Sequence, residues 1–256
     1  MLFDNHVHTE FSADAEMRAE DALAAAGVQG FGMVFTEHLD FDYPGELDFT
    51  FNPQQYWQTY EPLRGDTLRL GVEIGMQEGM EERSQAFVSE VPFDMVIGSI
   101  HLLEKKDIYY RTFYEDRTQQ EVYRKYFLTM DKMLKKHSFV DVLGHIDYIA
   151  RYAPYEPAGI VYAEFADEID AVLRTAAATD TVMELNTRRL TDRSVADELM
   201  PVYKRYYELG GRYISLGSDA HKAASIGSAF LVALQFAEQC RLTPVTFCER
   251  KMQKIG

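Results

Sequence analysis

The sequence predicts an α/β fold in which parallel strands close into one barrel. Short apolar runs alternate with segments of helical periodicity, as they do in βα units. Seven of those runs end in polar residues of the types that bind ligands or metals. Seven units in 256 residues fit a single barrel domain over 1–256 better than an open sheet with a second domain.

The strand-like runs are short and apolar, as is typical of parallel strands buried on both faces. Between them, three apolar stripes predict helices that pack on a core. The seven runs are Leu2–Val7, Met33–Phe35, Leu68–Val72, Met95–Ile100, Val140–Leu143, Val182–Leu185 and Tyr213–Leu216. The three stripes are Val122, Tyr126, Met130 and Met133; Phe165, Ile169, Val172, Leu173 and Ala176; and Phe230, Leu231, Leu234 and Ala237.

The chain is acidic, with 26 Lys and Arg against 41 Asp and Glu and a formal net charge of −15. This balance argues against nucleic acid and anionic membrane surfaces as partners, because both need a basic face. No apolar run approaches the ~18 residues that span a bilayer, and no signal peptide is expected. Cys240 and Cys248 are too few for a disulfide scaffold. We therefore expect a cytoplasmic protein, of undetermined oligomeric state.

Six of the seven histidines end a predicted strand, and only His137 does not. Any one of the six could be an ordinary core or surface residue, but six at equivalent positions are hard to explain in that way. Barrel chemistry lies at the carboxyl ends of the strands, so these side chains should meet three carboxylates at one rim. Imidazoles and carboxylates without Cys favour Zn²⁺, Fe or Mn²⁺. The nine residues are His6, His8, Asp14, His38, Glu73, His101, His145, Asp219 and His221.

Three local patterns support a metal site at this rim. His6 and His8 are two residues apart in a strand, so their side chains point to the same face. Asp219 and His221 have the same spacing in a stretch of small residues and can serve adjacent metals. Glu73 lies in an apolar run, where an unpaired buried carboxylate is unfavourable. A metal would remove that penalty, and so would an Arg from elsewhere in the chain.

The ordered motifs of the chain resemble those of the polymerase-and-histidinol-phosphatase (PHP) superfamily between residue 3 and about residue 225. Within it, the chain looks most like the monofunctional histidinol-phosphate phosphatases. The motifs are His6-x-His8-Thr9, Ser12-x-Asp14, Thr36-Glu37-His38-x-Asp40-Phe41, Gly71-x-Glu73, Gly98-Ser99-x-His101, Gly144-His145-x-Asp147-Tyr148-x-x-Arg151-Tyr152, Glu184-x-Asn186-Thr187 and Gly217-Ser218-Asp219-Ala220-His221.

The resemblance implies a distorted (β/α)₇ barrel with three divalent transition-metal ions, Zn, Fe or Mn, on its rim. It implies that the first ion is held by His6, His8, Glu73 and Asp219. Glu73 would bridge to a second ion with His101 and His145, and Asp14, His38 and His221 would hold the third. Glu73, His101 and Asp219 are the implied catalytic residues.

The chain departs from the family pattern in two segments, which are expected to shape the substrate pocket. One is Arg188-Arg189-Leu190, where relatives often have a small residue and a Gly before an Arg. The other is Glu104–Asp116, an insertion-like stretch that contains Tyr109, Tyr110, Phe113 and Tyr114.

The resemblance implies hydrolysis of a small phosphate monoester, favoured as histidinol phosphate, and a role in histidine biosynthesis. The expected attack is by a hydroxide that bridges two metals. Arg151, Arg188 and Arg189 are candidates to bind the phosphate, since a guanidinium can bind it bidentately. One alternative is a PHP phosphoesterase for another small ester, such as a nucleotide or sugar phosphate. Another is a non-catalytic metal-binding PHP module. A metal-dependent amidohydrolase is disfavoured, because no predicted strand ends in Lys.

Overall fold

Strands and helices alternate through residues 1–255, which are the residues that the computed structural model describes. The strands are β1 Phe3–Val7, β2 Gly32–Leu39, β3 Leu68–Gly75, β4 Met95–Ser99, β5 Leu102–Leu103, β6 Lys106–Asp107, β7 Val142–Leu143, β8 Val182–Asn186, β9 Tyr213–Gly217, β10 Thr243–Cys248 and β11 Lys251–Lys254. The α-helices are α1 Ala19–Gln29, α2 Pro53–Tyr60, α3 Glu81–Val88, α4 Gln119–Lys136, α5 Tyr148–Tyr152, α6 Ala166–Ala178, α7 Arg193–Glu208 and α8 Phe230–Gln239.

The main sheet has the strand order β1-β2-β3-β4-β7-β8-β9-β10-β11. Every neighbouring pair is parallel except β10 with β11. The seven predicted strands are β1 to β4 and β7 to β9, and these form the wall of the barrel. A bridge between Val7 and Ala220 brings β1 against the chain that follows β9. Because this closure lies only at the carboxyl end, the barrel is distorted, as expected.

The hairpin of β10 and β11 was not predicted, and it covers the opposite, amino-terminal mouth of the barrel. β10 pairs with β9 as far as Val245. Val245 and Phe247 then join a small apolar cluster with residues of several wall strands, among them Ile97. Beyond this cluster, the backbone N–H of Glu249 donates to the Asp94 carboxylate, just before β4. The hairpin therefore spans the barrel from β9 to the wall at β4.

The helices pack outside the wall on the larger apolar cluster. In α4, Thr118 and Glu121 form a reciprocal capping box, and the predicted stripe is buried. The stripe predicted in α8 is partly wrong, because Leu231 is 79% exposed. A helix turns about 100° per residue, so the buried face runs instead through Phe230, Ala233 and Ala237. Within residues 1–255, no helix is long and apolar enough to cross a membrane.

Candidate metal centre

Glu73, near the end of β3, lies at the middle of the rim with both carboxylate oxygens facing imidazoles. Its Oε2 is 2.9 Å from Nδ1 of His38 and 3.2 Å from Nε2 of His6. Its Oε1 is 2.8 Å from Nε2 of His145 and 3.3 Å from Nε2 of His101. Glu73 is fully buried, so the four imidazoles enclose its charge away from water. The barrel therefore brings imidazoles from four other strand ends onto a single carboxylate.

Asp219 and Asp14 extend the centre on one side. Oδ1 of Asp219 lies 3.5 Å from Nε2 of His8 and 3.6 Å from Nδ1 of His221. Oδ2 of Asp14 lies 3.2 Å from Nε2 of His221 and 3.6 Å from Nε2 of His38. All nine sequence-predicted metal residues therefore lie in one continuous cluster.

The orientation of the imidazoles fits metal binding. Nδ1 of His6 donates to Oε1 of Glu184 at 2.6 Å, so in the neutral ring Nε2 is an acceptor. Nδ1 of His101 donates in the same way to Asp40, at 3.1 Å. Both Nε2 atoms then face oxygens of Glu73, which are also acceptors. Two acceptors that face each other in a buried site need a cation between them.

The same inference follows from the buried atoms that lack a hydrogen bond. Within residues 1–255, no hydrogen-bond partner exists for Nε2 of His6, Nε2 of His8, Nδ1 of His38 or Oε2 of Glu73. Buried polar atoms are almost always hydrogen-bonded, and these four atoms converge on one point. Four sets of ligand atoms lie within 4.8 Å of one another, which fits metal coordination: His6, His8 and Asp219; His6, Glu73 and His145; His8, His38 and His221; and His38, Asp40 and His101.

The electrostatics of Glu73 and His8 match metal binding, whereas three other rings hold a proton more strongly when no metal is bound. Burial alone would lower the pKa of His6, His38 and His101, but the carboxylates that face them raise it above its usual value, so a metal would have to displace a proton there. Burial alone would raise the pKa of Glu73, but the neighbouring histidines, His6 and His101 foremost, hold it well below its usual range. Burial, together with His38 and His221, lowers the pKa of His8 well below its usual range. Glu73 is therefore ionised and His8 neutral near pH 7, as metal ligands must be.

Two carboxylates that orient these rings, Glu184 and Asp40, had no predicted role at the metal site. Glu184 contacts Nδ1 of His6 and also accepts from the backbone N–H of His145 at 2.7 Å. Asp40 contacts His101 and forms part of one possible ligand set. Carboxylates behind ligating histidines fix the ring orientation and raise ligand basicity. Glu184 interrupts an apolar run as Glu73 does, and that signal could have identified it.

The three candidate arginines have different surroundings. The side chain of Arg151 is 8% exposed and donates to Oδ2 of Asp219 at 2.6 Å. Arg188 is 45% exposed, and its Nη1 lies 3.5 Å from the same oxygen. Arg189 instead donates to Asp147 at 2.8 Å. The structure thus brings Arg151 and Arg188 to the centre and turns Arg189 away from it. Arg188 and Arg189, which follow β8, therefore point in different directions, and the sequence alone does not show which of them faces the centre.

A cavity of about 460 Å³ opens over the centre at His38, His101 and His221. Its other wall is aromatic and acidic, and Tyr43 donates to Oδ2 of Asp107 at 2.6 Å. The cavity wall includes Asp107, Tyr109 and Tyr110, as expected for the stretch Glu104–Asp116. The other two aromatic residues of that stretch, Phe113 and Tyr114, are buried in the core instead.

A parallel barrel with imidazoles and carboxylates on its rim is typical of metal-binding α/β-barrel proteins. Comparison with known proteins identifies the family. Residues 4–188 match the family model described as the PHP domain. The chain therefore belongs to the PHP-domain family, which confirms the resemblance in its motifs.

Similar proteins share nearly the full length of the chain. A probable histidinol-phosphatase from Clostridium acetobutylicum is 45% identical over 253 residues, which cover 99% of both chains. The histidinol-phosphatase of Lactococcus lactis is 32% identical over 86% of this chain and 84% of its own. A crystal structure of histidinol phosphate phosphatase (HisK) from Lactococcus lactis, complexed with zinc, L-histidinol and phosphate, has a TM-score of 0.92 and 30% identity over 99% of both chains.

Proposed function

We propose that this protein is a metal-dependent histidinol-phosphate phosphatase. The observation that carries the proposal is the cluster of nine imidazole and carboxylate side chains, in which four buried atoms converge without hydrogen bonds: Nε2 of His6, Nε2 of His8, Nδ1 of His38 and Oε2 of Glu73. The similarity to HisK supports the substrate, because that protein was crystallised with L-histidinol, phosphate and zinc. The 45% identity to a probable histidinol-phosphatase over the whole chain supports the same reaction class.

In this proposal the cluster would hold three divalent ions. His6, His8, Glu73 and Asp219 would bind the first. Glu73, His101 and His145 would bind the second, and Asp14, His38 and His221 the third. When bound, such ions act as Lewis acids toward water and toward the phosphoryl oxygens. Glu73 is shared between the first two sites because its two oxygens face separate sets of imidazoles.

The residues around the centre have separate tasks. Glu184 and Asp40 hold the rings of His6 and His101 so that Nε2 faces inward. Arg151 holds Oδ2 of Asp219 and thereby orients its Oδ1 toward the histidines. Arg151 is therefore a positioning residue with little freedom to reach a phosphate.

The cavity suits the organic part of histidinol phosphate. Tyr109 and Tyr152 lie edge to face with ring centroids 4.8 Å apart, and both line the cavity with Tyr148. An imidazole can stack on such rings, and an ammonium is attracted to their faces. The carboxylate of Asp107 adds a negative charge on the same wall. Arg188 also lines the cavity; it is 45% exposed and its contact with Asp219 is long, at 3.5 Å, so it can turn to bind the phosphate bidentately.

The test is phosphate release from histidinol phosphate, measured beside a panel of nucleotides and sugar phosphates. We expect a clear preference in kcat/KM for histidinol phosphate. A preference for the panel would contradict the substrate assignment while leaving the reaction class intact.

Metal removal tests the reaction class itself. Dialysis against a chelator should abolish activity and lower the unfolding temperature, because buried acceptors lose the cation between them. Activity should return with Zn²⁺, Mn²⁺ or Fe²⁺. A protein that is inactive in every metal would instead be a non-catalytic PHP module.

Three further expectations remain proposals. We propose that residues 1–256 form one domain. Two cysteines without a disulfide support a cytoplasmic location. Arg189 is the weakest of the proposed substrate-binding residues, because Asp147 holds its guanidinium.

A further inference from the structure

Asp4 is a fully buried carboxylate of β1 that lies two residues before the proposed ligand His6. Its Oδ1 accepts from the backbone N–H of Ser218 at 2.8 Å. Its Oδ2 accepts from the Ser218 hydroxyl at 2.5 Å and from the backbone N–H of Gly227 at 2.8 Å. A longer bond, of 3.4 Å, comes from the backbone N–H of His6. In the part of the chain that the structure describes, no Lys or Arg compensates this charge, so hydrogen bonds alone offset the cost of its burial.

Asp4 contacts the two ends of one loop. We call residues 218–227, which follow β9, the ligand loop, because they include the proposed metal ligands Asp219 and His221. Ser218 is the first residue of this loop and Gly227 is the last, and both donate to Asp4. A single carboxylate therefore closes the loop and ties it to β1.

The backbone of Asp219 needs this support. Its φ is +54°, in the left-handed region that residues other than glycine seldom adopt. Both neighbours are fixed by β1 and the residue after it: Ser218 donates to Asp4, and Ala220 accepts from the backbone N–H of His8 at 2.9 Å. A backbone conformation of this kind persists where the surrounding structure enforces it.

The orientation of His221 depends on the same stretch of backbone. Its Nδ1 donates to the backbone carbonyl of Asp219 at 3.0 Å, so in the neutral ring Nε2 is an acceptor that faces Oδ2 of Asp14. A shift of the ligand loop would therefore displace both proposed ligands together.

We propose that Asp4 is a positioning residue whose carboxylate holds the ligand loop in the conformation that points Asp219 and His221 at the metal centre. Asp219 belongs to the proposed first ion site and His221 to the third, whereas the second site has no residue in this loop. Loss of the Asp4 carboxylate should therefore weaken two of the three sites and spare the second. This inference rests on the proposed metal-dependent function and assigns a residue outside the nine-residue cluster.

The chemistry of the carboxylate explains why an acid is needed at this position. An ionised carboxylate only accepts hydrogen bonds, so it can receive donors from both ends of the loop at once. Its charge makes these bonds stronger than those to a neutral acceptor. An asparagine in its place would turn an amide donor toward one of the two ends, with almost no change in volume.

The experiment compares three variants of the full-length protein. Asp4→Asn removes the charge, and Ser218→Ala removes only the hydroxyl bond. Asp94→Asn is the matched control, because Asp94 is equally buried and also accepts from backbone N–H groups, but at the other end of the barrel. For each variant we would titrate metal-free protein with Zn²⁺ in competition with a chromophoric chelator. Hydrogen exchange of residues 218–227, followed by mass spectrometry, measures the ligand loop directly.

In Asp4→Asn, we expect two of the three Zn²⁺ ions to bind about 10–100-fold more weakly, since residues that orient metal ligands have effects of this size. Ser218→Ala should weaken the same two ions by about three- to tenfold, because one charge-assisted bond is lost. Hydrogen exchange of the ligand loop should be faster in both. The Zn²⁺ concentration that gives half of the maximal kcat should rise in parallel. Asp94→Asn should lose stability but bind Zn²⁺ within about twofold of wild type.

The outcomes separate positioning from general support of the fold. The proposal is overturned if Asp4→Asn resembles Asp94→Asn, with lower stability but unchanged Zn²⁺ binding and loop exchange. It is also overturned if all three ions are weakened equally. If Asp4→Asn does not fold, Ser218→Ala decides by the same criteria. If wild type binds Zn²⁺ but does not hydrolyse histidinol phosphate, the Zn²⁺ titrations still decide the role of Asp4, and only the proposed function fails.

Discussion

The two ends of the barrel bury carboxylates in opposite ways. At the amino end, Asp94 accepts two hydrogen bonds from Arg64, at 2.6 and 2.8 Å, and one each from the backbone N–H groups of Leu70 and Glu249. At the carboxyl end, Glu73 has no guanidinium partner in the described chain, and its Oε2 has no hydrogen bond. A buried charge that the protein itself pairs supports the fold. A buried carboxylate that faces only imidazoles is instead suited to bind a metal.

The largest expected effect is the loss of activity when the carboxyl end is altered. Glu73→Gln keeps the shape of the side chain but removes the charge shared by two proposed metal sites. We expect kcat/KM to fall by about 10³-fold or more, because each ion contributes several kcal/mol to the transition state. His101→Ala and Asp219→Asn should behave similarly. Circular dichroism should show that the fold is retained in all three variants.

Glu78→Gln is the control for this comparison, since Glu78 is exposed and pairs with Lys132 on the surface. Its kcat/KM should stay within about twofold of wild type. If Glu73→Gln turned over substrate at the wild-type rate, the carboxyl end would not be the catalytic centre.

The second-largest expected effect is a loss of stability when Asp94, at the amino end of the barrel, is replaced. Asp94→Ala leaves Arg64 and two backbone N–H groups without their acceptor. The free energy of unfolding should fall by about 2–4 kcal/mol, with the partial exposure of Arg64 moderating the loss. Urea unfolding measures it, and kcat of the folded fraction should not change. The control is Asp66→Ala, at an exposed position nearby. A loss of kcat with unchanged stability would remove the distinction between the two ends.

The pH dependence of stability also tests whether Asp94 is paired within the fold. Burial alone would raise the pKa of Asp94, but hydrogen bonds from Arg64 and the backbone lower it below its usual value. A depressed folded-state pKa stabilises the protein above the unfolded value of about 3.9, and the contribution is lost as the pH falls through the folded pKa.

In Asp94→Asn, the free energy of unfolding should therefore change less than in wild type as the pH falls below about 4. Urea unfolding at several pH values measures this difference. Parallel pH profiles for the two proteins would show that folding does not lower the pKa of Asp94.

Much of the carboxyl end could be predicted from the sequence, because its information is local. His6 and His8 are two residues apart at the end of β1, and most of the proposed ligands lie at or just after the end of an apolar run that the barrel places on one rim. The amino end could not be predicted in this way. Glu249 and Asp94 are 155 residues apart, and nothing near either one indicates the other. Glu184 does have a local signal, a carboxylate in an apolar run, but its pairing with His6, 178 residues away, has none.

The smallest expected effect concerns Arg69, which is an exception to the pairing at the amino end. This guanidinium is 9% exposed and lies over the ring of Phe3. Its Nη2 donates to Oε1 of Gln253 at 2.7 Å, but Nε and Nη1 have no partner within residues 1–255. Gln253→Glu should stabilise the protein by about 0.5–1 kcal/mol, because an exposed carboxylate gains a charge-assisted bond at little desolvation cost.

Urea unfolding of Gln253→Glu beside Gln253→Ala measures the sign of this effect. Alanine should destabilise by about 1 kcal/mol, since it removes the one hydrogen bond of the guanidinium. The gain from glutamate should disappear in the background Arg69→Met, which removes the charge and keeps an apolar side chain over Phe3. A gain that persisted there would have a cause other than the pairing of Arg69. A destabilising glutamate would show that the amino end tolerates an incompletely paired charge, so that unsatisfied atoms alone would not distinguish the metal centre from the rest of the barrel.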